Sequence, residues 1–111
     1  MLFVHFHQTD TGAEPVREWL LDLPPRDRKA IGTDIKTVQF GWPLGMPLIC
    51  KIEKDLWEVR VQLVGRIARV LFTLEDNIML LLHGFIKKSR ATPKEDLDLA
   101  RVRIKELRGR K

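Results

Sequence analysis

The chain has 111 residues, 44% of them apolar and 32% charged, with 20 Lys plus Arg against 15 Asp plus Glu. Those proportions describe one small folded domain that can bury roughly two-thirds of the surface its unfolded form exposes, and they exclude intrinsic disorder. The single cysteine, Cys50, excludes an internal disulfide, and no Cys/His cluster has metal-ligand spacing, so no metal and no cofactor is expected.

The opening segment MLFVHFH has no basic lead, and the longest apolar stretch, Ile78 to Leu82, is far too short to cross a bilayer. The expected setting is the reducing cytoplasm, away from membranes. Charge is unevenly placed. From Ile86 to Lys111 there are 10 basic and 4 acidic residues, a balance of +6, whereas residues 1 to 85 carry 10 basic and 11 acidic, a balance of −1. Such a basic end suits a surface that meets phosphates or an acidic protein; it equally suits a solvated helix face with a frayed end.

In chain order, Leu2 to His7 alternates with β-branched and aromatic content and predicts a strand. Thr11 and Glu14 have capping-box spacing ahead of a helix whose inward stripe is Val16, Trp19, Leu20 and Leu23. Pro24-Pro25 ends it. A second helix carries Ile31, Ile35 and Val38 inward and Arg26, Arg28, Lys29 and Lys36 outward, stopping near Gly41. The segment 41 to 47, with two glycines and two prolines, must be a loop. Leu48 to Ile52, Leu56 to Leu63, Ile67 to Leu74 and Asn77 to Ile86 then read as strands joined by short turns. Thr92-Pro93-Lys94-Glu95 predicts a capped helix with Leu97, Ala100, Ile104 and Leu107 buried. The order β-α-α-β-β-β-β-α predicts an α+β domain in which helices pack on a mainly antiparallel sheet.

Alternation sends Trp57, Val59 and Val61 to one sheet face and places Glu58 and Arg60 together on the other. Arg69 sits inside the apolar run Ile67 to Phe72, so it must have a partner or a task. His83, Lys87 and Lys88 fall toward the end of the last strand, which hairpin register brings near the same place. This group suits cleavage of RNA by attack of a ribose 2′-hydroxyl on the adjacent phosphorus, a route that requires no metal. Arg60 and Arg69 would stabilise phosphoryl charge, His83 is the natural acid and Glu58 a possible base. Lys88 would neutralise charge beside them, and Lys87, Arg90 and Arg66 are the expected RNA contacts. The structural alternatives are a Glu58–Arg60 salt bridge on a solvated face, a core histidine at His83 and edge-strand charges at Lys87 and Lys88. Trp19, Trp57, His5 and His7 read as structural.

The succession Pro15-Val16-Arg17-Glu18-Trp19-Leu20, Gly45-Met46-Pro47, Leu56-Trp57-Glu58-Val59-Arg60, Arg69-Val70, Leu82-His83-Gly84-Phe85-Ile86-Lys87-Lys88 and Thr92-Pro93 resembles the HigB-like, phage-derived branch of the RelE/ParE toxin superfamily. The resemblance runs in order over nearly the whole chain. It implies the toxin of a type II toxin-antitoxin pair, an endoribonuclease that cuts messenger RNA on the ribosome and is neutralised by a small helix-turn-helix antitoxin. Carried over by position, the family's basic catalytic residues fall on Arg60, Arg69, Lys87 and Lys88. The chain has no tyrosine, whereas RelE relatives often place an aromatic hydroxyl near the C-terminus. Two other functions fit the same fold, a ParE-like inhibitor of DNA gyrase and a non-catalytic RNA-binding module. Replacing Arg69 with Ala is expected to abolish cleavage while leaving the fold intact. The basic C-terminal helix, through Arg101 and Lys105, is expected to meet ribosomal RNA or an acidic antitoxin segment.

Overall fold

Period-two alternation from residue 49 onward folds as four strands, β2 (Ile49–Glu53), β3 (Leu56–Leu63), β4 (Arg66–Glu75) and β5 (Ile78–Lys87), which follow β1 (Phe3–Phe6) and two helices. The helices are α1 (Pro15–Asp22) and α2 (Pro25–Gly41), and α3 (Lys94–Gly109) ends the chain. This computed structural model describes residues 1–45, 47–87 and 92–109. The sheet order is β1-β5-β4-β3-β2. Only β1 with β5 is parallel, so the expected α+β architecture is observed.

Each hairpin closes through two residues, 54–55, 64–65 and 76–77, and each turn contains one left-handed residue: Asp55 (φ 65°), Gly65 (φ 71°) and Asp76 (φ 55°). Asp and Gly tolerate that conformation, which matches the twist of the flanking strands.

The sheet buries both faces. On one, Val59, Val61, Ala68, Val70, Phe72 and Met79 pack beneath Val16 of α1 and Ile31, Ile35 and Val38 of α2. Trp42 packs edge-on against Trp57 and Phe72, with ring centroids 5.6 and 5.9 Å away. On the other face, Leu56, Leu71, Leu80 and Leu82 meet Ala100 and Ile104 of α3, with Leu97 and Leu107 at the margin.

A bulge in β5 carries much of the consequence for the site. Leu81 opposes Phe72 while His83 opposes Leu71, so Leu82 is the extra residue. Strict alternation from Leu80 would send Gly84 toward α3; the bulge instead turns His83 and Phe85 to that face and Gly84 toward α1. There the Trp19 ring lies directly on Gly84, where a Cβ atom would occupy the same space.

Both expected capping boxes are replaced. α1 begins at Pro15 with Glu14 at the cap making no side-chain bond, because the preceding turn is closed by Thr9, whose hydroxyl accepts from the Ala13 amide at 3.2 Å. At α3 the Pro93 carbonyl accepts from the amides of Asp96 and Leu97, and the Thr92 hydroxyl donates elsewhere. Arg28, expected to face water, donates from Nε to the Leu20 carbonyl and from Nη2 to the Leu23 carbonyl, both at 3.1 Å. It thereby satisfies carbonyls that α1 leaves open at its C-terminal end.

The basic C-terminal helix uses much of its charge for docking rather than display. Arg101 grips Glu53, with Nη2 to Oε1 at 2.6 Å, and reaches Asp98; Arg108 pairs with Asp55 at 2.9 Å; Arg103 donates to the Leu82 carbonyl at 2.6 Å. These contacts tie α3 to the β2–β3 hairpin and to β5, so Arg101 already has partners within the domain. Lys105 is exposed.

The Trp19 contact makes Gly84→Ala a strict test of the bulged register. Overpacking of this kind costs about 1–3 kcal/mol or more, so chemical denaturation should show at least that loss. An unchanged midpoint would mean that β5 does not present position 84 to α1.

Candidate functional site

On the α3-facing side of β3 and β4, between the apolar residues, Arg60 and Arg69 are both bonded to Glu58. Register sets Arg60 directly opposite Arg69, and Glu58 opposite Leu71 in the next row. Both arginines therefore lie on one face, one strand apart. The Glu58 side chain has 0% exposure. Its Oε1 accepts from Arg69 Nη1 at 2.5 Å and from Arg60 Nε at 3.1 Å, and its Oε2 accepts from the Thr92 hydroxyl at 3.0 Å. Arg69 Nη1 also lies 3.5 Å from that hydroxyl. A buried carboxylate in such a setting is stable only because two cations and a hydroxyl replace its lost water.

The two guanidinium groups differ in access. The Arg69 side chain is 4% exposed and its Nε has no partner among the described residues, whereas the Arg60 side chain is 31% exposed. Burial pulls the Arg69 guanidinium below its ordinary value, and the neighbouring Glu58 carboxylate pulls it back up. Arg60 spends Nε on Glu58 and makes no further hydrogen bond among the described residues, so its two Nη groups remain available.

A cleft of about 530 Å³ opens beside this cluster. Arg60 and Arg69 line it from one register row, and Gln62, Ile67 and Lys87 from the next. Pro47, Leu48 and Asp34 complete the lining. Asp34 belongs to α2, in the opposite layer, and β2 pairs with β3 only as far as Val59, so the cleft reaches around the edge of β3 that β2 leaves open.

Of the residues expected at the site, the fold brings Glu58, Arg60, Arg69 and Lys87 together. It does not bring His83. That ring lies beyond Leu71, two strands and roughly 10 Å of backbone from Glu58. Its Nε2 is 2.6 Å from Asp96 Oδ1 on the first turn of α3 and its ring stacks on Phe85, which makes it part of the α3 docking surface. Arg66 bonds Asp27 of α2 and does not line the cleft. Lys88 and Arg90 lie outside the described residues. Glu58, read from sequence as a base, has both oxygens occupied by donors.

Sequence reasoning missed Thr92, read only as a helix cap, and Asp34. The available signal for Asp34 was its place seven residues after Asp27, along the margin of the Ile31–Ile35–Val38 stripe.

Burial of Arg69 also changes what its removal means. Taking away either member of the Glu58–Arg69 pair strands the other charge in the interior, which costs about 3–5 kcal/mol. Arg69→Ala is therefore expected to destabilise the fold, where the sequence alone led to the expectation of an intact one. Glu58→Ala should lose a similar amount in urea denaturation, and the double change Glu58→Leu with Arg69→Met should recover most of it. If the double variant is less stable than either single one, the pair is not a buried charge couple.

Among the described residues no helix is long and apolar enough to cross a membrane. Residues 18–105 match the family described as Phage derived protein Gp49-like (DUF891). No curated protein matches the chain. That family is associated with the RelE-like toxins of toxin-antitoxin systems and with toxin endoribonuclease activity, and an antitoxin partner goes with it. With the match extending over most of its length, the chain belongs to the phage-derived Gp49-like, toxin-antitoxin-related family.

Proposed function

We propose that the protein is a toxin of the RelE-like, HigB-like kind: a metal-independent endoribonuclease that cuts messenger RNA on the ribosome and is neutralised by a cognate helix-turn-helix antitoxin. The observation that carries this reading is the Arg60 guanidinium, tethered through Nε to a buried carboxylate and left with its Nη groups free at a cleft that Arg69 and Lys87 also line.

In 2′-hydroxyl attack, negative charge grows on the non-bridging phosphoryl oxygens. A planar fork that remains charged at pH 7 and is already fixed in orientation stabilises that charge without reorganising during the reaction. Arg60 is the group placed for this contact. Arg69 adds positive potential from beneath, and Glu58 and Thr92 are positioning residues that set the direction of the fork. Lys87 supplies a further cation on β5 for the neighbouring backbone.

A single cleft with three cations binds RNA weakly and reads no bases. The ribosome would then supply alignment of the substrate, worth far more than the protein's own RNA affinity. His83, bonded to Asp96 away from the cleft, has no part in this scheme.

Primer extension on messenger RNA after brief induction tests the reading. New 5′ ends should appear with the wild-type chain, and Arg60→Ala should reduce them on the order of 10²–10³-fold while leaving the fold intact. Arg60→Lys, which keeps the charge but loses the fork, should fall between the two. Double-strand DNA breaks without new messenger ends would assign the chain to gyrase inhibition, and undiminished cleavage by Arg60→Ala would remove Arg60 from the chemistry.

A further inference from the structure

With Glu58 saturated and His83 committed to α3, the scheme above lacks a group to take the 2′-hydroxyl proton. One carboxylate lines the cleft, and it is Asp34. Asp27, two helical turns earlier, is matched by Arg66. Asp34 is half-buried and makes no hydrogen bond or ion pair among the described residues. The charged groups that share the cleft with it are Arg60 of β3, Arg69 of β4 and Lys87 of β5. A carboxylate with no hydrogen-bond or ion-pair partner among the described residues thus lines the same cleft as three cations.

We propose that Asp34 is the catalytic base of the cleft, accepting the ribose 2′-hydroxyl proton while Arg60 holds the phosphoryl oxygens. This rests on the cleavage reading given above. As O2′ bonds to phosphorus its proton passes to an Asp34 carboxylate oxygen. The bond from phosphorus to O5′ breaks with its electron pair on O5′, which takes a proton from water. The products are a 2′,3′-cyclic phosphate and a 5′-hydroxyl. Asp34 returns its proton to the hydroxide so formed, and nothing is oxidised or reduced.

Burial pushes the Asp34 carboxyl above its ordinary value. A base of that kind is a stronger proton acceptor than an exposed aspartate. A carboxyl whose folded value is raised favours the folded state below its unfolded value, and that contribution fades as pH climbs through the folded value. Asp34→Asn, neutral at every pH, should therefore melt no lower than the wild type at pH 7.

The test compares Asp34→Asn, Asp34→Glu and Arg60→Ala as full chains, measuring cleavage of ribosome-bound messenger RNA and binding to a single-stranded RNA whose cut site carries a 2′-deoxyribose. Asp34→Asn should cut on the order of 10²-fold more slowly yet bind the uncleavable RNA as tightly or more tightly, since a negative charge has left a basic cleft. Asp34→Glu should recover part of the rate. The wild-type rate should rise with pH through a limb above the ordinary aspartate range, and that limb should be missing from the residual rate of Asp34→Asn. Wild-type or faster cleavage by Asp34→Asn, beside an inactive Arg60→Ala, overturns the proposal and leaves the cleavage reading standing. Parallel loss of binding and cleavage in Asp34→Asn overturns it as well, by making the residue structural. A folded wild-type chain that cuts no messenger overturns both.

Discussion

The carboxylate of Glu58 has no access to solvent, and the arrangement of β3, β4 and the segment entering α3 follows from meeting its needs. Two guanidinium groups and one hydroxyl supply its hydrogen bonds. Arg69 can sit at 3% exposure in an otherwise apolar strand because this partner is there, and Thr92 ties the entry of α3 to the same point. An unmatched charge in that position would destabilise the domain by several kcal/mol, so the register that pairs Arg60 with Arg69 and Glu58 with Leu71 is strongly enforced. The same bond that satisfies Glu58 fixes the Nε end of Arg60 and leaves its Nη groups unbonded among the described residues.

Positive charge is divided between two tasks. Arg101, Arg103 and Arg108 join α3 to the rest of the domain, through carboxylates on the β2–β3 hairpin and a carbonyl of β5. Arg66 does the same for α2 through Asp27. Arg60, Arg69 and Lys87 converge at the cleft. Net charge along the sequence therefore says little about where a phosphate would bind. What distinguishes the cleft is that Arg60 keeps donors in reserve there, while the helix arginines spend theirs on nearby acceptors.

Much of the fold was legible because it depends on local period and punctuation. β3 has the bounds that its alternation predicts, and Glu58 and Arg60 share a face as the two-residue repeat requires. Arg69, a charge in an apolar run, announced that it needed a partner. The partner's burial was not legible, because it depends on α3 lying over that face, and no residue of β3 encodes how closely a helix that begins 36 residues after Glu58 will pack. The position of His83 failed for a different reason. A single extra residue at Leu82 reverses which face follows, and a bulge between Leu and His leaves no mark in composition. The helical spacing of Asp34 from Asp27 was visible, but its place in the cleft lining was not, because that depends on the open edge of β3 where β2 stops pairing. The helix boundaries show the same divide: Pro25 and Gly41 mark the ends of α2, whereas Thr11 and Glu14 have the spacing of a cap without forming one.

On the proposed cleavage, Glu58 acts only through the direction it gives to Arg60. A double-mutant cycle on single-turnover messenger cleavage, using Glu58→Gln, Arg60→Ala and the pair together at a temperature where all are folded, measures this coupling directly. The account predicts that both single variants lose activity and that adding Glu58→Gln to Arg60→Ala costs almost nothing more. If the two losses multiply, Glu58 has an independent role in the reaction and the tethered-fork account is wrong.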